Sequence, residues 1–174
     1  MTYFGLKEPV QLSRMTRIFV GYSILLVPAK SAAEYAHQLQ KNPIMRGNSG
    51  FSLIERTLAK ICDGVYTTGE LGTWIKEQSL VINTDKGLVV ISGCAHPGIV
   101  DIVKKAKEQL NKNVYLVLGG FHSPPLSVVQ KFRELGVEKV APCHCTGDEA
   151  IRAFKEEYQE NFIENGVGKI ISIY

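Results

Sequence analysis

Apolar and polar positions change rhythm along this chain, and the second half is the regular one. "LVINT" and "LVVIS" are short β-rich runs flanking Asp85-Lys86-Gly87, a turn signal, so a hairpin is predicted. An alternation follows. Ile99, Val103, Ala106 and Leu110 share one face of a predicted helix over 97–110, and a strand is predicted over 114–118. Val129 and Phe132 mark a helix over 126–135, a strand follows over 137–141, and Ile151 and Phe154 mark a helix over 148–158. "KIISIY" closes the chain as a last strand. If these helices are crossover connections, the strands they join run parallel.

The first part is less regular. Residues 1–17 are mixed and predict an irregular lead-in, and 18–27 has the composition of a buried strand. "SAAEYAHQLQK" over 31–41 predicts a short helix with Ser31 as N-cap and Glu34 at the third position. Residues 42–50, "NPIMRGNSG", are rich in turn formers and predict a loop, and 51–64 fits either a strand and turn or a helical turn. No internal repeat or low-complexity segment interrupts the chain.

Composition adds bounds. With 174 residues, 45% hydrophobic and 21% charged, one domain with a sizeable core is expected. The net charge of +3 comes from scattered basic residues, which gives nucleic-acid binding no support and makes small molecules the expected partners. Arg14 and Arg17 precede an apolar run over 18–27 like a signal peptide's, but spanning a bilayer takes ~20 apolar residues, so a buried strand and no membrane partner are expected. Cys62, Cys94, Cys143 and Cys145 do not form a disulfide framework in a chain of this length, and a reducing cytoplasm is the expected location.

The histidines carry the chemistry. "LVVISGCAHPG" reaches His96 between a strand and a helix; "VYLVLGGFHSPP" does the same with His122 and "VEKVAPCHCTG" with His144. If the strands are parallel, all three histidines lie along one edge of the sheet, where open α/β sheets bind ligands. A single histidine at a strand end is usually a hydrogen-bonded turn residue; three in the same slot point to a metal or catalytic site, because imidazole ligands must converge on one ion at ~2.0–2.1 Å. Gly93, Gly119 and Gly120 let the backbone turn there and leave room for something bound. Thr146 and Glu149 have capping-box spacing, which gives "HCTGDE" a structural task as well. His37 has no such context, and Cys62 reads as a small buried apolar residue. Cys143 and Cys145 lack the two-residue spacing of redox motifs, and a structural zinc cluster would need more cysteines nearby than Cys94.

"GVYTTGEL", "EQSLVINTDKGLVV", "ISGCAHPGIVDIV", "VLGGFHS" and "PCHCTG" together resemble the metallo-β-lactamase superfamily, in the branch that includes archaeal pterin-related phosphate synthases. The resemblance covers residues 64–174, with 1–63 as a poorly readable lead-in to one compact domain. It implies an α/β sandwich of αβ/βα layers with a divalent transition metal at the sheet edge, zinc first, with iron and manganese as alternatives. His96 and His144 resemble metal ligands, and His122 is the catalytic candidate, as ligand or as substrate contact. Cys94, Cys145 and Glu70 are placed around the metal or against substrate. The superfamily's H-x-H-x-D-H stretch does not occur in the sequence. This chain is therefore expected to be the second half of the fold within a longer protein, weakly active by itself, with an uncovered apolar sheet face that favours a homodimer. The implied chemistry is metal-dependent hydrolysis of an ester- or phosphate-containing small molecule, or pterin-related synthase chemistry; the alternative is a non-catalytic binding or assembly module.

Overall fold

The computed structural model describes residues 3–5, 15–20, 23–28 and 58–173, with the first three segments, Cys62 and His144 known by backbone alone. The predicted helix over 31–41, His37 and the loop over 42–50 lie outside these residues. Strand β1 (Tyr3–Gly5) is short; β2 (Met15–Val20) and β3 (Ser23–Pro28) pair antiparallel, so the single strand expected over 18–27 is two. β4 (Ala59–Cys62) and β5 (Val65–Thr67) give a strand and turn over 58–64, the described part of the stretch that fitted either reading.

The regular half folds as its pattern predicts. β6 (Leu80–Thr84) and β7 (Gly87–Ser92) form the hairpin, with Thr84 opposite Gly87 so that Asp85 and Lys86 make a two-residue turn. Then come α1 (Ile99–Leu110), β8 (Val114–Gly120), α2 (Ser127–Glu134), β9 (Lys139–Cys143), a 3-10 turn (His144–Thr146), α3 (Asp148–Tyr158), a second 3-10 turn (Gln159–Asn161) and β10 (Ile170–Ser172). Six strands form one sheet in the order β4-β5-β6-β7-β8-β9. Pairing is antiparallel up to β7 and parallel from β7 through β8 to β9, as crossover helices require. β1 and β10 pair in parallel.

The N-termini of α1 and α3 differ from expectation, one in its start and the other in its cap. The first helix begins at Ile99 rather than residue 97, because Gly98 holds φ 101°, outside the helical region open to L-residues. The capping box does not form: Gly147 is the N-cap of α3, and the Thr146 hydroxyl instead donates to Cys143 O (2.7 Å) and accepts from Phe121 N–H (3.1 Å). That hydroxyl joins the ends of β8 and β9, a tertiary task that outcompetes a local cap.

The helices pack on one face of the sheet. Ile102, Val103 and Ala106 of α1, Phe132 of α2 and Phe154 of α3 meet Val81, Val90, Val117 and Val140 from the strands. Phe132 and Phe154 meet in a tilted pair at 5.3 Å between ring centroids, and Phe121 lies edge-on to Phe154 at 5.5 Å. The opposite face, with Val89, Ile91, Leu116 and Leu118, is buried as well, which corrects the expectation of an uncovered apolar face. All seven residues of β8 are buried, as a central parallel strand demands.

Tyr158 closes this core at the end of α3. Its hydroxyl donates to Val137 O (3.3 Å), and the Arg133 guanidinium lies 4.1 Å over its ring. Burial pushes its ionisation up from 10.0 to about 12, against the lowering influence of Arg133. Below pH ~10 the phenol is neutral in both folded and unfolded chains, so it makes stability no more pH-dependent. Between pH 10 and 12 the unfolded chain ionises first, and stability should fall as pH rises through that window. Tyr158→Phe should lose roughly 0.5–1.5 kcal/mol at neutral pH with the hydrogen bond, yet decline less steeply between pH 10 and 12. Urea denaturation of both proteins across that range tests this; parallel pH profiles would sink it.

Candidate functional site

Three strand ends define the site. β7, β8 and β9 run parallel, so the turns that follow Ser92, Gly120 and Cys143 lie side by side at one edge, and they carry His96, His122 and His144. Hydrogen bonds lace these turns together. Ser92 Oγ donates to Gly120 O (2.8 Å), Gly120 N–H donates to Gly93 O (3.2 Å), and Ser123 N–H donates to Cys145 O (2.8 Å). Ala95 (φ 62°), His122 (φ 53°) and Ser123 (φ 43°) all take left-handed backbone, a conformation that costs energy for residues with a Cβ and clusters at functional sites.

Around His96 the arrangement is specific. Leu71 and Glu77 exchange backbone hydrogen bonds (2.9 and 3.0 Å) and close a loop; its Gly72 packs so tightly that a Cβ would lie 3.1 Å from Pro97 Cγ. The loop delivers the Glu77 carboxylate to His96, where Oε1 pairs with Nδ1 and Oε2 accepts the His96 backbone N–H at 3.1 Å. With Nδ1–H donated to the carboxylate, Nε2 is the nitrogen with a lone pair to offer, the tautomer a metal-ligating histidine needs. The His96 and His122 rings stand 4.3 Å apart between centroids. His122 is exposed, and its Nδ1 lies 3.5 Å from Cys94 Sγ.

The cysteines separate into two kinds. Cys94 is buried with its Sγ 2.8 Å from Cys145 Sγ, and burial, followed by the hydrogen bond with Cys145, pushes the Cys94 thiol up to about 12. Cys143 accepts a hydrogen bond from Asn165 Nδ2 (3.3 Å), and burial raises its thiol too. Among the described residues, Cys94, His122 and Cys145 have donor atoms all within 4.8 Å of one another, a spacing open to a metal ion.

Of the residues singled out in the sequence, His96, His122, Cys94 and Cys145 thus meet at one place, with the backbone of His144 between Cys143 and Cys145 at the same edge. Glu70 does not join them through any hydrogen bond; its carboxylate takes Lys76 Nζ at 2.7 Å. The residue that sequence reasoning missed is Glu77. Its only signal was membership of "EQSLVINT", since nothing local ties it to a histidine 19 residues later.

Comparison with known proteins bears on the fold. No family profile matches the chain. It is 45% identical over 103 residues to the 7,8-dihydropterin-6-methyl-4-(beta-D-ribofuranosyl)-aminobenzene-5'-phosphate synthase of Methanocaldococcus jannaschii, a match covering 55% of this chain and 35% of that protein. An uncharacterized protein of the same organism is 34% identical over 91 residues, covering 49% of this chain and 34% of its own length. The chain therefore spans about a third of the curated relatives it matches. Its fold is similar to the crystal structure of Tm1679, a metal-dependent hydrolase of the beta-lactamase superfamily, with a TM-score of 0.56 and 29% identity, over 92% of this chain and 64% of that one. No helix among the described residues is long and apolar enough to cross a membrane.

Proposed function

We propose that this chain is a member of the metallo-β-lactamase superfamily, as its likeness to known proteins supports, and that its strand-end histidines are the second-half portion of a metal-dependent site acting on an ester- or phosphate-containing small molecule. One observation carries the reading: His96 is held by the Glu77 carboxylate at Nδ1, with the His122 ring 4.3 Å from its own. Carboxylate-held imidazoles are the usual form of histidine ligands, and the donor set suits a divalent transition metal such as zinc.

His96 and His144 would hold the metal. When bound, such an ion polarises a carbonyl or phosphoryl oxygen and lowers the pKa of water toward ~7. The protein's own residues do the rest. Glu77 fixes the tautomer and direction of His96. His122, exposed and with Nδ1 beside Cys94, has Nε2 as the nitrogen from which a proton or hydrogen bond can reach a leaving oxygen. Glu70, engaged by Lys76, would act on substrate only by exchanging that partner. Pterin-related synthase chemistry is the narrower form of this proposal, resting on the name of the 45% identical relative.

The test is direct. The chelator-treated chain should take up zinc, manganese or ferrous iron at a defined stoichiometry in plasma emission analysis. Hydrolysis of a chromogenic phosphodiester should be low but metal-dependent, abolished by chelator and restored by one of these ions. A chain that retains no metal and shows no metal-dependent turnover would refute the reading in favour of a binding or assembly module.

A further inference from the structure

The proposed metal chemistry leaves two thiols without a task. Cys94 follows β7 and Cys145 follows β9, 51 residues apart in sequence, yet their sulfurs stand 2.8 Å from each other. We propose that Cys94 and Cys145 are a reversible dithiol–disulfide pair, oxidised by a peroxide or a low-molecular-weight disulfide, which ties the turn carrying His96 to the turn carrying His144.

The geometry favours this over other uses of the pair. A disulfide bond is ~2.03–2.05 Å long, so the sulfurs need to close by well under 1 Å. A tetrahedral zinc at ~2.3 Å from both would instead see them under an angle of roughly 75° and require them to part. The surroundings are built to admit Cys145: a Cβ on Gly120 would lie 2.8 Å from Cys145 Sγ and 2.6 Å from Gly93 O, so only glycine leaves the sulfur its place. Ser123 N–H on Cys145 O (2.8 Å) fixes the backbone that presents it. Cys143 is the neighbour in sequence, but its Sγ is engaged by Asn165.

Exposure assigns the roles. Cys145 is half-buried and Cys94 buried, so the oxidant meets Cys145 first. With hydrogen peroxide, the Cys145 sulfur attacks one peroxide oxygen; an S–O bond forms, the O–O bond breaks, and hydroxide leaves with the thiol proton as water. The Cys94 sulfur then displaces the hydroxyl from Cys145 Sγ; the S–S bond forms, the S–O bond breaks, and a second water leaves with the Cys94 proton. The two thiols lose two electrons and two protons, and one peroxide becomes two waters. A small dithiol reverses the step by exchange.

The disulfide itself requires no metal; its effect on metal retention rests on the function proposed above. Reduced, chelator-treated full chain should be exposed to hydrogen peroxide or oxidised glutathione, then analysed by maleimide counting, intact mass and peptide mapping. Two of the four thiols should disappear with a mass loss of about 2 Da and a cross-linked peptide pair containing Cys94 and Cys145, all restored by dithiothreitol. Cys143→Ser should leave the cross-link intact, whereas Cys94→Ser and Cys145→Ser should each abolish it. A Cys143–Cys145 link, oxygen adducts without a link, four surviving thiols, or thiols masked by zinc that form no link after chelation would each overturn the proposal. Metal content measured in reduced and oxidised protein separates the two readings: a disulfide in a chain that never binds metal refutes the metal site and leaves the pair standing.

Discussion

Gly119→Ala should destabilise the protein by roughly 3–5 kcal/mol. Gly119 ends β8 with φ 116°, a backbone that residues with a Cβ rarely adopt. It also faces Ser92 across the parallel pair, so a Cβ would fall 2.1 Å from Ser92 O and 2.9 Å from Ser92 Oγ. Neither atom can yield easily, since Ser92 Oγ is itself bonded to Gly120 O and the residue is fully buried. For a domain of this size the loss corresponds to a fall in Tm of about 6–20 °C. Gly93→Ala is the matched control. It lies in the adjoining turn with nothing within 4 Å of an added Cβ, and less than about 1 kcal/mol should be lost. Calorimetry on the two variants decides the point; equal melting temperatures would mean that β7 and β8 do not pair in this register.

Glu77→Gln should weaken transition-metal binding by about 10–100-fold, the usual cost of losing a carboxylate behind a histidine ligand. Glutamine keeps one oxygen for His96 Nδ1–H, but its amide nitrogen then faces the His96 backbone N–H, which now donates to Oε2 at 3.1 Å. Two donors cannot share that space, so the side chain must rotate and His96 loses its fixed direction. The negative charge that strengthens the imidazole as a donor of electrons to a metal is lost with it. Because Glu77 and His96 are both partly exposed, the melting temperature should change little while affinity changes greatly. Isothermal titration with zinc and thermal melts of the same preparations give the two readouts. An unchanged affinity would show that Glu77 does not orient a ligand; a fall in both would assign it a structural role alone.

The hairpin, the three helices and the strands between them were legible because each is a local pattern. Val103 and Ala106 repeat at helical spacing, "LVINT" and "LVVIS" are continuous β-rich runs about a turn, and such periodicities determine which face is buried. The slot shared by His96, His122 and His144 was legible for the same reason, since parallel strands place their following turns on one edge. The capping box failed because spacing alone does not reveal that Phe121 N–H, 25 residues upstream, competes for the Thr146 hydroxyl. Glu70 looked available for substrate because its partner, Lys76, reaches it only through the fold of the loop that ends at Glu77.

What the sequence alone determined is therefore the order of elements from residue 80 onward, the parallel sense of β7, β8 and β9, and the edge on which the three histidines lie. Only the tertiary structure decided which groups touch there: Glu77 on His96, His122 against His96, and Cys94 on Cys145. The physical reason is that local propensity acts over a few residues. Contacts spanning 19 to 51 residues depend instead on strand order, on register and on the glycines that let adjoining turns approach.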